Sequence, residues 1–146
     1  MIRKILWGVM FGFLTLAVSS QAFAQADKRQ ALMKNNSAAA KAIKAAVEAK
    51  DYATVEAKAK DIMGNADKIV SLFPKGSDTG KTKAKPEIWE KPDDFAKNAK
   101  NLSKAAGELA SAAKAGNDAE VGVKVKALGD VCGACHKQFR AEKYAE

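Results

Sequence analysis

Imidazole, thiols and proline are scarce in this chain. Its 146 residues include one histidine, two cysteines and three prolines, with six Phe, two Tyr and two Trp. Each scarcity excludes something. A structural zinc site takes four nitrogen or sulfur ligands, and Cys132, Cys135 and His136 supply three. A catalytic zinc could use three, but all would come from one helical turn. A disulfide between Cys132 and Cys135 would close a tiny loop inside a helix and staple nothing distant. No segment alternates apolar and polar residues like a strand, which leaves a thioredoxin-like dithiol without its strand-turn-helix setting. With few aromatics among its lysines, an exported chain of this kind is a poor nucleic-acid binder.

The apolar run Ile5–Val18 follows Arg3 and Lys4 and leads to Ala22-Phe23-Ala24, a small-x-small cleavage site. The run is too short to cross about 30 Å of hydrocarbon comfortably. It reads as a secretory signal peptide over residues 1–24, removed on export to a bacterial periplasm and leaving no membrane anchor. Residues 25–146 then form one domain. The stated charge is +8; losing Arg3 and Lys4 takes 25 basic residues to 23 against 17 acidic ones, or +6. That balance favours acidic partners or anionic surfaces, although most of these lysines read as solvated helix faces.

What the mature chain has in abundance is Ala, Lys, Leu and Glu at helical spacing. The first helix is expected from about Asp27 to Lys50, with Leu32, Met33, Ala40, Ile43 and Val47 inward. Asp51 caps the second, whose stripe is Val55, Ala59, Ile62, Ala66, Ile69 and Phe73 before Pro74 ends it. The three prolines fall at 74, 86 and 92, marking "PKGSDTGKTKAKPEIWEK" as a long loop. Pro92 opens the third helix, with the stripe Phe95, Ala99, Leu102, Ala106, Leu109 and Ala113. After a turn capped by Asn117, the fourth stripe is Val121, Val125, Leu128, Cys132, Cys135 and Phe139. The expected fold is all-α, an antiparallel up-down-up-down four-helix bundle. Its inward positions are largely alanine, which makes a thin core.

Cys132 and Cys135 share the inward face of the fourth helix, and His136 lies one turn after Cys132. C-x-x-C-H is the attachment signature of c-type haem. Two thiols three residues apart match the porphyrin's vinyl groups, and the adjacent imidazole reaches the iron from the proximal side. The plainer reading is a pair of buried cysteines beside a surface histidine. A covalently held haem in the core would also supply the bulk that the alanine stripes lack.

With these features the chain resembles cytochrome c′ and its low-spin relatives, the class II c-type cytochromes. The resemblance covers the mature chain through the four-helix pattern, the motif in the last helix, "RQALMK" in the first, "KPEIW" before the third, and "CHKQFR". It implies thioether positions at Cys132 and Cys135 and a proximal ligand at His136. It also implies that Arg29 lies near a haem propionate, that Gln30 contacts haem, and that Met33 faces the open side of the iron. Thr82 and Lys83 fall in the loop that approaches the haem edge in relatives, and Arg140 matches the arginine flanking the proximal histidine.

The sixth iron position separates the functions. The stretch "LMKNN" and the loop "LFPKGSDTGKTKAKPEIW" resemble the low-spin relatives more closely, which implies Met33 as the distal ligand; Met/His ligation gives a low-spin centre with a raised potential, suited to a one-electron carrier. Core filling is methionine's commonest role, and Met63 is a competitor from the second helix. With Met33 unbonded the iron is five-coordinate and open to nitric oxide or carbon monoxide. A peroxidase is disfavoured, since peroxide cleavage benefits from a distal acid-base group and the only histidine is already proximal. Lys75, Lys81, Lys83 and Lys85 make the long loop basic, able to steer acidic redox partner proteins or simply to keep it soluble. Trp89 reads as a buried anchor for that loop. Relatives often pair as homodimers through the first two helices; this sequence leaves monomer and dimer both open.

Overall fold

The computed structural model describes residues 15–78 and 82–143, with side chains from residue 25 onward. Its elements are α1 (Thr15–Glu48), α2 (Tyr52–Ala66), a 3₁₀ turn (Val70–Leu72), the single-turn α3 (Glu87–Glu90), α4 (Pro92–Lys114) and α5 (Asp118–Phe139). Among the described residues there is no strand, only an isolated antiparallel bridge between Ala84 and Arg140. The four long helices, α1, α2, α4 and α5, form the bundle. Residues 1–14 of the expected leader, and Lys81 of the loop, lie outside the described residues.

The helix ends follow local chemistry. At the end of α1 the chain turns through Lys50, whose φ of 54° lies in the left-handed region, while the amide of Asp51 donates to Ala46 O at 2.8 Å. Asp51 then caps α2, accepting from Thr54 N at 3.1 Å and from its hydroxyl at 2.6 Å. Pro92 occupies the first turn of α4, where its missing N–H costs nothing. Gly116, with φ of 67°, closes α4, and Asn117 caps α5 by accepting from Glu120 N at 3.2 Å.

Two boundaries differ from the sequence expectation. Helix α1 begins at Thr15 rather than near Asp27, since no Gly or Pro falls between Thr15 and Glu48 to break it. Helix α2 stops at Ala66 rather than at Pro74. Gly64, Asn65 and Asp67 are poor helix formers, and the chain tightens there into i−3 bonds, Lys68 N to Asn65 O and Ile69 N to Ala66 O. The inward face of α1 is also centred slightly differently, with Ala39 and Ala46 buried and Ala40 and Val47 half-buried.

The core is asymmetric. Val55, Ala59, Ile62 and Ala66 of α2 are buried against Phe95, Ala99, Leu102, Ala106 and Leu109 of α4. Met63 packs there too, its Sδ 3.4 Å from where a Cβ on Gly107 would stand. Helices α2 and α4 meet along their lengths, whereas α1 and α5 scarcely touch. On α5 only Val121, Leu128 and Phe139 are buried, and Val125, Val131, Cys132 and Cys135 are half-buried.

Candidate functional site

A cavity of about 350 Å³ lies between α1 and α5. Arg29, Gln30, Met33 and Lys34 of α1 form one wall; Cys135, His136 and Phe139 of α5 form another. Its floor is aromatic. Phe95 stands edge-on to Phe73, with centroids 4.9 Å apart, and to Phe139, at 5.2 Å. Such pairs are worth about 0.5–1.5 kcal/mol beyond their buried area. Thr82, Lys83 and Ala84 of the long loop close one side.

The donor groups of α5 are chemically poised. Cys132 and Cys135 are free, half-buried thiols packed against the core, and Cys135 lines the cavity. Burial, reinforced by Cys132, pushes the Cys135 pKa up to about 11, and burial raises that of Cys132. Both therefore stay as thiols at neutral pH. His136 is exposed overall but lines the cavity, and partial desolvation there, with the charge of Arg140, lowers its pKa. A neutral imidazole has a lone pair to offer a metal.

Met33 is half-buried and faces the same cavity from α1, whereas Met63 does not line it. Gln30 is exposed at the cavity wall. Arg29, only 6% exposed, binds the loop: Nε donates to Leu72 O at 2.6 Å, Nη1 to Ser77 O at 3.0 Å, and Nη2 to the Ser77 hydroxyl. Its guanidinium lies 4.2 Å over the Phe73 ring. Burial lowers its pKa, partly offset by Asp78, and it remains charged. Thr82 is 8% exposed, and its hydroxyl accepts from Ala84 N at 3.1 Å. Trp89 anchors the loop as expected, donating to Phe73 O at 3.2 Å and Pro74 O at 3.0 Å.

The sequence brought Arg29, Gln30, Met33, Thr82, Lys83, Cys135 and His136 to attention, and all line the cavity. Cys132 packs one turn back along α5. Ser77 went unnoticed, because nothing local marks a loop serine as the acceptor for an arginine 48 residues away. Among the described residues no three His, Cys, Asp or Glu side chains converge as a metal-ion set. No described helix is long and apolar enough to cross a membrane.

The family model described as cytochrome c′ matches residues 24–140. The chain belongs to the cytochrome c′ family. It is 42% identical over 85 residues to a cytochrome c′ of Rhodospirillum rubrum, an alignment covering 58% of this chain and 58% of that one, so it spans less than two thirds of that relative's length. It is 36% identical to a cytochrome c-556 of Agrobacterium fabrum over 97% of both chains. The solved cytochrome c′ of Thermochromatium tepidum superposes with a TM-score of 0.76 at 31% identity, covering 83% of this chain and 97% of that one. A second solved cytochrome c′, described by its ligand-controlled dimer dissociation, matches with a TM-score of 0.77, 31% identity and the same coverage.

Cytochrome c′ membership makes this a c-type haem protein, with haem c as its covalent cofactor. The residues fit that group. Two free thiols and a neutral imidazole adjoin one apolar-floored cavity, a donor set that would suit a covalently held porphyrin, and the Met33 thioether lines the same space.

Proposed function

We propose that the protein is an exported one-electron carrier, released by cleavage after Ala24, in which residues 25–146 hold one haem c. Cys132 and Cys135 form the thioethers, His136 is the proximal iron ligand and Met33 the distal one. The observation that carries this reading is the cavity itself: Met33 on α1 and His136 on α5 bound one space, with Cys135 beside the histidine. When bound, haem supplies a one-electron iron couple. The chain's part is to fix its ligands from two helices and keep coordination alike in both redox states. The apolar floor of Phe73, Phe95 and Phe139 excludes water and favours the less charged, reduced centre. Gln30, Thr82 and Lys83 meet the cofactor's edge. Arg29 approaches it while holding the loop through Leu72 and Ser77.

Leader cleavage after Ala24 and export to the periplasm belong to this reading, and a family match that begins at residue 24 supports them. The protein is not an enzyme in this reading. The chain's one histidine is the proximal ligand in this reading, which leaves peroxide cleavage without a distal imidazole. Its partners are redox proteins, acidic ones being favoured by the basic loop; the solved cytochrome c′ described by its ligand-controlled dimer dissociation supports a homodimer as one further state to test.

A second reading keeps the same haem with Met33 unbonded, leaving five-coordinate iron to bind nitric oxide or carbon monoxide. It is favoured by Met33 being only half-buried, packed against the core as a gap filler is. Absorption spectra separate the two. Met33 ligation predicts sharp low-spin bands on reduction, a methionine–iron charge-transfer band on oxidation, and loss of that band in Met33→Ala. Broad high-spin spectra with ready carbon monoxide uptake by the unmodified ferrous protein would transfer the conclusion to gas binding.

A further inference from the structure

Helices α1 and α5, which bring Met33 and His136 to the cavity, scarcely touch each other. Their spacing is set through a third party, residues 72–77. The Phe73 ring takes the Arg29 guanidinium of α1 at 4.2 Å and stands edge-on to Phe95 at 4.9 Å. Phe95 in turn meets Phe139 of α5 at 5.2 Å. The position of this segment therefore bears on both walls of the cavity.

Side chains hold the segment by its carbonyls. Leu72 O accepts from Arg29 Nε at 2.6 Å, Phe73 O and Pro74 O accept from Trp89 Nε1 at 3.2 and 3.0 Å, and Ser77 O accepts from Arg29 Nη1 at 3.0 Å. Ser77 is the knot. It is 5% exposed, and all three of its polar groups are engaged. Its amide donates to Pro74 O at 3.2 Å; its hydroxyl donates to the same carbonyl at 2.6 Å and accepts from Arg29 Nη2. Gly76, with φ of 78°, lets the chain turn tightly enough to place these groups side by side. The carbonyl and hydroxyl of Ser77 thus form a two-point seat that suits a planar guanidinium fork and not a single ammonium. Arg29 lies four residues before Met33, and both face the cavity.

We infer that Ser77 is a positioning residue: by seating the Arg29 guanidinium it fixes the turn of α1 that carries Met33 at the cavity. It acts through Arg29, since Ser77 is not among the described residues lining the cavity. The inference rests on Met33 facing the open side of the iron, as in the proposed function, and deepens it. With the seat made, Met33 stays in place and an outside ligand must displace it. With the hydroxyl removed, the turn is free for a larger fraction of the time, and binding of an outside ligand scales with that fraction. A hydrogen bond to a charged group shifts such an equilibrium by about tenfold or more.

The test uses the haem-loaded protein with Ser77→Ala, Ser77→Thr, Arg29→Ala and the pair Arg29→Ala/Ser77→Ala. Asn117→Ala, which loses a cap at the far end of α5, is the control for stability alone. The readouts are carbon monoxide association with the ferrous protein, the methionine–iron band of the ferric protein, and amide exchange in α1 around Met33. Ser77→Ala should raise the association rate at least about fivefold, weaken the band and quicken that exchange. Ser77→Thr, which keeps the hydroxyl, and Asn117→Ala should stay within about twofold of the unmodified protein. In the Arg29→Ala background, Ser77→Ala should add less than about twofold, because its bond is already gone. An unchanged rate in Ser77→Ala, an equal rise in Ser77→Thr, or a fivefold rise that persists without Arg29 would each overturn the inference. Absence of the band from the unmodified protein would contradict Met33 ligation alone. The carbon monoxide rates would still decide the seat, since an unbonded Met33 held at the open face obstructs entry as well.

Discussion

The two seams of the bundle differ in what fills them. Between α2 and α4 the space is filled by the chain itself: Val55, Ile62, Ala106 and Leu109 are almost wholly buried, and small alanines let the helices approach closely. Between α1 and α5 the helices stay apart around a cavity of about 350 Å³ that Cys135 faces, with Val125, Val131 and Cys132 half-buried further back on the same helix. An alanine-rich stripe thus has opposite consequences on the two sides. Where the partner helix can close in, it gives a tight seam; where loop and aromatic side chains prop the helices apart, it leaves room for a porphyrin. The lesson is that a thin core need not be a weak one when the cofactor is part of it.

The contrast can be broken most severely from the open side. Cys132→Ser/Cys135→Ser should abolish covalent haem attachment. Hydrogen exchange should then show protection persisting in α2 and α4 and lost at the C-terminal half of α5. Uniform protection across all four long helices would deny that the open seam depends on its cofactor. Next in size, Leu109→Ala in the closed seam should cost about 2–5 kcal/mol of unfolding free energy in denaturant titration. Val125→Ala, half-buried at the open seam, should cost about 1 kcal/mol or less.

Arg29→Ala sharpens the comparison, because Arg29 joins the open seam to the loop. Removing it leaves Leu72 O and Ser77 without their donor and should cost about 1–3 kcal/mol. The telling readout is faster amide exchange at Ser77, whose N–H bonds Pro74 O, with α4 unaffected. The smallest effect is expected from Asn117→Ala, which removes the cap of α5 and should cost about 1 kcal/mol in the same titration. That loss should be the same with and without haem, since the cap lies at the far end of α5 from Cys132.

What was legible in the sequence is what short spacing encodes. Asp51 and Asn117 as caps, Pro92 at a helix start, the four-three stripes and the C-x-x-C-H turn are each decided within a few residues. The expected end of α2 was set by Pro74, yet Gly64 to Asp67 stops the regular helix earlier while Ile69 still reaches the core, because tertiary packing holds the tightened turn. The Arg29 clamp and the pairing of Lys83–Lys85 with Phe139–Ala141 join residues more than 40 positions apart. No local pattern announces them, and they are what shape the cavity mouth and its charge.

The account turns on haem being held by the chain through Cys132 and Cys135. Intact mass of the protein, after co-expression with a haem maturation system, measures this directly. The account predicts a polypeptide beginning at Gln25 that carries the added mass of one haem and keeps it under denaturing conditions. A mass equal to the polypeptide alone would contradict it.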